Sequence, residues 1–299
     1  MRSLILSGSL LVGSAISSIS AFAADATSGV TGNTLCLNAQ KPGGTDTYTR
    51  IENVFGRGAV EAPSDTHYAP ARPHIIEGGD DVVPAYFAVV AIDPTDVNLD
   101  DKTMTEGSDR SRTEIKIAPS LMGMHQAFKA RENDSFLYSW RFKIDAGMKF
   151  SPSFTHIHQI KAYGGRFAEP PLITFTPLSG GRMEVRQIDD LKNEGVVYHV
   201  LGTVALSQIQ GQWIDVREQI TFSNSAGRYQ LSMRGQDDKP VLEIDSAGLQ
   251  LWRTGADHMR PKWGIYRKHH GMLNQDKDDY VYFANLGITR GGQPDSSCR

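Results

Sequence analysis

Phe136-Leu137-Tyr138-Ser139-Trp140-Arg141-Phe142-Lys143-Ile144 decides the fold. Tyr138, Trp140, Phe142 and Ile144 occupy every second position, with Ser139, Arg141 and Lys143 between them. Side chains on a strand alternate between faces, so this period turns the large apolar groups inward and the polar ones outward. Comparable patterns recur along the chain. Pro84 to Ile92 is an apolar run closed by Asp93-Pro94, and Arg112 to Ile117 alternates Thr113, Ile115 and Ile117 against Arg112, Glu114 and Lys116. Trp213 to Phe222 sets Ile214, Val216, Ile220 and Phe222 against polar partners, and Tyr229 to Met233 pairs back across Asn224-Ser225-Ala226-Gly227. Phe154 to Ala162, Pro171 to Thr176 and Tyr280 to Ile288 add further strands. Helical periodicity is nearly absent, with one short helix expected over Leu121 to Ala130. Many short strands and few helices indicate an all-β jelly-roll sandwich of two antiparallel sheets.

The 299 residues are 39% hydrophobic and 22% charged, as in a soluble globular protein. A net charge of −3 excludes the global basic field that recruits nucleic acid or an anionic membrane. Residues 1–23 read as a secretory signal peptide: Arg2, an apolar Leu4 to Ile19, then the small-x-small site Ala21-Phe22-Ala23. That run is too short and serine-rich to span a membrane. The mature chain is expected to start near Ala24, to be extracellular, and to form one monomeric domain over 24–299. Its two cysteines, Cys36 and Cys298, argue for one disulfide in an oxidising compartment. Such a bridge implies neighbouring first and last strands.

Three strands carry polar residues in unusual places. Arg112-Thr113-Glu114-Ile115-Lys116 is the first. In the second, Thr155, Ile157, Gln159 and Lys161 share one face, while His156, His158 and Ile160 share the other. The third, Arg260 to Arg267, sets Lys262, Gly264 and Tyr266 on one face. A glycine inside a strand weakens it unless something must approach the backbone there. Together these strands offer Arg, Gln, Lys and Tyr without the paired carboxylates of glycoside hydrolysis. Glu243-Ile244-Asp245 begins a glutamate-x-aspartate-x-x-glutamate pattern, but Gly248 stands where the third acid belongs. Asp96 to Asp100 has calcium-like spacing, yet Asp101 occupies the place of the EF-hand glycine. Asp80-Asp81 reads as a solvated turn, and no zinc motif occurs.

Arg112-Thr113-Glu114, His158-Gln159-Ile160-Lys161 and Lys262-x-Gly264-x-Tyr266 resemble, in order, three signature strands of the β-sandwich polysaccharide lyases. The similarity is greatest to the glucuronan lyase and heparin-lyase-I-like group, with alginate lyases more distant. The resemblance implies a concave groove for an anionic polysaccharide and β-elimination on a uronic acid. Gln159 and Arg112 would neutralise the C6 carboxylate, with Lys161 as a third member, and Tyr266 would act as acid and, in a syn elimination, as base. Lys262, Glu114, His158 and Arg267 are expected to contact substrate. Lys161 stands where the alginate-type motif has its histidine, so either a lysine does that work, or Tyr266 acts alone, or a histidine arrives from elsewhere, with His74, in Arg72-Pro73-His74-Ile75, as the leading candidate. No cofactor is implied, although the family leaves room for a structural calcium. The rival readings are a non-catalytic carbohydrate-binding sandwich and a glycoside hydrolase on the same fold.

Overall fold

The structure, a computed structural model, describes residues 28–40, 46–63, 73–92, 110–189, 197–268, 277–292 and 298. The expected leader and its cleavage site and the Asp96 to Asp101 stretch lie outside the described residues. Among the described residues there are sixteen strands: β1 Gly29–Thr31, β2 Thr34–Leu37, β3 Val60–Glu61, β4 Ile75–Gly78, β5 Tyr86–Ala91, β6 Arg110–Lys116, β7 Ser135–Ile144, β8 Thr155–Tyr163, β9 Ile173–Leu178, β10 Arg182–Ile188, β11 Tyr198–Ala205, β12 Ile214–Thr221, β13 Gly227–Arg234, β14 Pro240–Leu249, β15 His258–Lys268 and β16 Asp279–Arg290. They form two antiparallel sheets. One runs β1-β2-β16-β7-β12-β13-β14, with β5 also on β16 and β4 on β5; the other runs β11-β10-β9-β8-β15-β6-β3.

The opening stretch is the centre of the first sheet. On β7, Tyr138, Trp140, Phe142 and Ile144 are all buried, and the Trp140 ring meets Trp263 of β15 and Phe175 of β9 across the sandwich at 6.0 and 5.7 Å. Each such aromatic removes a large apolar area from water, which is the main stabilising term here. A helix, α1 Thr47–Phe55, departs from the sequence expectation. Ile51, Val54 and Phe55 make its buried stripe, and Phe55 stacks on Trp263 at 6.0 Å. Asp46 stands at its N-cap, but its side chain makes no capping bond and the first turn carries no acid. Leu121 to Ala130 holds only a 3-10 helix, Gly123–Phe128.

Two side chains expected at the substrate lie in the interior instead. His158 is 1% exposed. It points between the sheets, where its Nε2 hydrogen-bonds Glu218 of β12 at 2.9 Å and its ring packs on Trp140. Glu218 also accepts from the Tyr229 hydroxyl at 2.9 Å, and burial followed by that carboxylate's charge holds the phenol protonated well above its ordinary range. Arg267 is fully buried and pairs with Asp279 of β16. A buried charge needs its partner, so both residues hold the sheets together rather than meet a ligand. Asp80, read as a solvated turn, accepts from the Val82 and Val83 amides and the Trp213 indole and pairs with Lys143. Among the described residues no helix is long and apolar enough to cross a membrane.

Cys36 and Cys298 are bonded, as expected, and β2 pairs with β16 so that Cys36 lies opposite Gly287. A side chain at Gly287 would collide with Cys298 Sγ at 2.9 Å, so the glycine makes room for the bridge. The bond joins residues 262 apart. Closing so long a loop restricts the unfolded chain by up to roughly 5 kcal/mol in the loop-entropy model. The Cys36→Ser/Cys298→Ser variant is therefore expected to unfold at lower urea concentration than the wild type. An unchanged midpoint would show that the bridge adds nothing.

Candidate active site

The outer face of the seven-stranded sheet carries a cleft of about 470 Å³. Arg110 and Arg112 come from β6, Lys161 and Tyr163 from β8, Arg260, Lys262 and Tyr266 from β15, and Glu61 from β3, with Glu169 at the rim. On β15 the faces alternate: Trp263 and Ile265 are core, while Lys262 and Tyr266 face outward. Gly264 sits between them because β6 leaves no room. A Cβ there would lie 2.1 Å from the Thr113 carbonyl oxygen and 2.6 Å from Glu114 Cα, at a φ of +155°. The close approach is the neighbouring strand, not a ligand.

A β-bulge changes the pattern on β8. Trp263 pairs with His158 and Tyr266 with His156, so β15 carries one residue more than β8 in this interval. Gln159, opposite Lys262, and His156, opposite Tyr266, thus share the outer face although three residues apart, while Ile157 and His158 both turn inward. Strict alternation had placed His156 away from Gln159. Instead its ring lies 6.1 Å from that of Tyr266 and 4.8 Å from Phe154, with Nδ1 in a 2.9 Å hydrogen bond to Thr176 Oγ1. Burial, then the positive charges of Arg186, Arg112 and Lys161, push this imidazole down to about 3, so it is neutral at ordinary pH.

Tyr266 is enclosed by two guanidinium groups. Arg112 lies over its ring, Cζ 4.0 Å from the centroid, and Arg110 Nη1 donates to its hydroxyl oxygen at 3.0 Å. Beneath them the cations are held by two carboxylates. Glu61 pairs with Lys262, Lys116 and Arg112; Glu114 accepts from Gln159 Nε2 and from Lys262 Nζ at 3.0 Å, with Arg112 Nε 3.5 Å away. Burial works against the Glu61 charge, but Lys262, Lys116 and Arg112 outweigh it and hold the carboxyl far below its usual range. Burial likewise opposes the Arg112 charge, yet Glu114, Glu61 and Tyr266 keep it above the ordinary guanidinium value. Lys161 has less support. Burial, then Lys262 and Arg112, push it down to about 8 against Glu169 and Glu114.

The structure therefore gathers Arg112, Glu114, Gln159, Lys161, Lys262 and Tyr266 on three adjacent strands. Gln159 and Glu114 lie under the cleft floor, 2 and 1% exposed, bonded to each other. His74 is not with them. It precedes β4 in the other sheet, its carbonyl accepting from the Val90 amide, and it does not line the cleft. Glu243 and Asp245 also belong to the other sheet, on β14, where they meet Ser232 and Arg228. Among the described residues no three His, Cys, Asp or Glu side chains cluster as a metal site.

A family model described as polysaccharide lyase matches residues 88–287. The chain belongs to the polysaccharide lyase family. No curated protein matches this lyase. Among solved structures it is similar to a variant of the alginate lyase Aly36B in complex with an alginate trisaccharide, with 11% identity, 86% of this chain and 98% of that one covered, and a TM-score of 0.55. It is also similar to a variant of the family 7 alginate lyase A1-II′ in complex with substrate, with 11% identity, 79 and 93% coverage and a TM-score of 0.51. At this identity the likeness speaks for the fold. Jelly-roll architecture and family thus agree with the resemblance of the three signature strands.

Glu61 offers a test of the charge layer. Glu61→Gln leaves Lys262, Lys116 and Arg112 short of an anion and is expected to cost about 3 kcal/mol at neutral pH. The depressed carboxyl stabilises the fold above its unfolded value of 4.5 and loses that contribution as pH falls towards the folded value. The gap between wild type and variant, measured by urea unfolding, is thus expected to be full at pH 7 and to narrow below pH 4.5. A gap independent of pH would refute the pairing.

Proposed function

We propose that this polysaccharide lyase is secreted and cleaves a uronic-acid polymer by β-elimination, polyglucuronate being the first reading and alginate the second. The observation that carries the proposal is Tyr266 between Arg110 and Arg112, in a cleft that also presents Lys161 and Lys262. A uronate carboxylate entering the cleft meets Arg112 and Lys161. Their positive charge stabilises the enolate-like state formed when the proton on C5 departs. The C5–H electron pair becomes the C4–C5 double bond, the C4–O4 bond breaks, and O4 leaves with a proton. Tyr266 donates that proton, and in a syn elimination it also receives the one from C5. His156, neutral and next to Tyr266, is a second group able to receive a proton on this face. Gln159 acts from below, fixing Glu114 and through it Lys262 and Arg112.

The same layer disfavours hydrolysis. A glycosidase acid must hold its proton at working pH, whereas Glu61 is kept ionised. The disulfide supports secretion, because such bonds persist in oxidising compartments. The alginate oligosaccharides bound to the structural relatives support a uronate substrate.

A panel of uronate polymers tests the reaction: elimination leaves a double bond conjugated to the carboxylate, seen as ultraviolet absorbance in the products. Tyr266→Phe is expected to lower kcat by at least about 100-fold while polymer binding persists. Reducing ends produced without absorbance would mean hydrolysis, and neither signal on any polymer would leave a binding protein. Lys161 adds a pH signature. Above pH 8 it loses the charge that neutralises the carboxylate, so kcat/KM is expected to fall there, and Lys161→Arg to remove the fall. A rate that climbs through pH 8 in the wild type but not in Lys161→Arg would instead make Lys161 the base.

A further inference from the structure

The face that carries the cleft continues well beyond β8. Lys116, Lys262, Gln159, Thr174, Arg186 and Val200 are successive partners on β6, β15, β8, β9, β10 and β11. Directly opposed residues in an antiparallel sheet share a face, so Arg186 points the same way as Lys262. At this far edge the Arg186 guanidinium lies over the Tyr198 ring, Cζ 4.3 Å from the centroid. Tyr198 is 49% exposed and Val200, two residues on, 47%. Glu184 accepts from both Arg182 and Arg186 at 2.8 Å, so two guanidinium groups share one carboxylate and a positive charge is left over.

The pattern is one the cleft already shows. Arg112 lies over Tyr266 at 4.0 Å, and Arg260 lies over Tyr163 at 5.0 Å, with Tyr163 40% exposed. Each pair offers an aromatic face for the C–H face of a sugar ring and a cation for its carboxylate. The third copy, on the edge strand, is outside the cleft lining.

We propose that Arg186 and Tyr198 form a distal subsite for one uronate of the same polymer chain that fills the cleft. The ring of Tyr198, with Val200 beside it, carries the sugar, and Arg186 receives the carboxylate. The subsite rests on the reading of the ligand as a uronate polymer, but not on its cleavage. Two strand spacings separate β8 from β10, roughly 10 Å, so only an oligosaccharide longer than the few sugars at the cleft reaches both places.

The experiment measures binding to the Tyr266→Phe protein, with and without Tyr198→Ala, by calorimetry. Alginate and polyglucuronate oligosaccharides of three and eight sugars are the probes. Tyr198→Ala is expected to weaken the octasaccharide about tenfold more than the trisaccharide, and Tyr198→Phe, which keeps the ring, to restore most of that loss. Arg186→Gln is expected to lower the salt dependence of octasaccharide binding. Equal losses for both lengths, or no loss for either, overturn the subsite. Absence of ultraviolet-absorbing products from the wild type sinks the elimination reading and leaves the length dependence to be read on its own.

Discussion

Cations crowded on one sheet face repel one another, and the site exists because two carboxylates lie among them. Arg112, Lys116, Lys161, Arg260 and Lys262 come from three adjacent strands and lie within mutual electrostatic reach. Glu61 and Glu114 neutralise part of that charge and tie β3, β6 and β15 together through it. The compensation is incomplete: Glu114 is buried in the floor, Glu61 lines the cleft beside Arg112, Lys161 and Arg260, and the cations outnumber the two acids. What an approaching polymer meets is therefore a positive surface held in place. In the elimination proposed above, charges fixed before the substrate arrives would need little reorganisation as the enolate-like state forms, which is where such groups act most strongly.

Backbone geometry sets which side chains join this surface. Gly264 lets β6 come within a distance that any Cβ would forbid, and that approach puts Arg112 over the Tyr266 ring. The bulge beside it then shifts the phase of β8, so that His156 turns out and His158 turns in. Behind the face, Trp263, Trp140 and Phe175 pack around His158, and Arg267 holds Asp279. These buried groups anchor the strands from the opposite side and restrict the freedom of Tyr266 and Lys262 to drift.

The strands were legible in the sequence because one face of each is buried, and alternation at Tyr138, Trp140, Phe142 and Ile144 follows directly from that. Cys36 and Cys298 gave the adjacency of the first and last strands for a similar reason: two cysteines have one pairing. The three signature strands fall on adjacent β6, β15 and β8, and each contributes to the cleft lining. What periodicity could not show was the bulge, since an extra residue on β15 leaves no mark in the spacing of β8. Nor could it separate an arginine lining the cleft from a core one; Arg267 looks like Arg112 until Asp279 is seen against it. His74 rests on the family resemblance alone, and its place beside Val90 in the other sheet is a fact of topology beyond the reach of local pattern. Helix α1 escaped because its first turn carries no acid and its buried apolar stripe is only Ile51, Val54 and Phe55.

The account is tested most directly by a crystal structure of the Tyr266→Phe protein soaked with a uronate oligosaccharide too short to leave the cleft. The prediction is a sugar carboxylate within hydrogen-bond distance of Arg112 or Lys161, with its C5 and O4 both turned towards residue 266. A chain lying on the nine-stranded sheet, or one whose carboxylate points into solvent away from both cations, would contradict it.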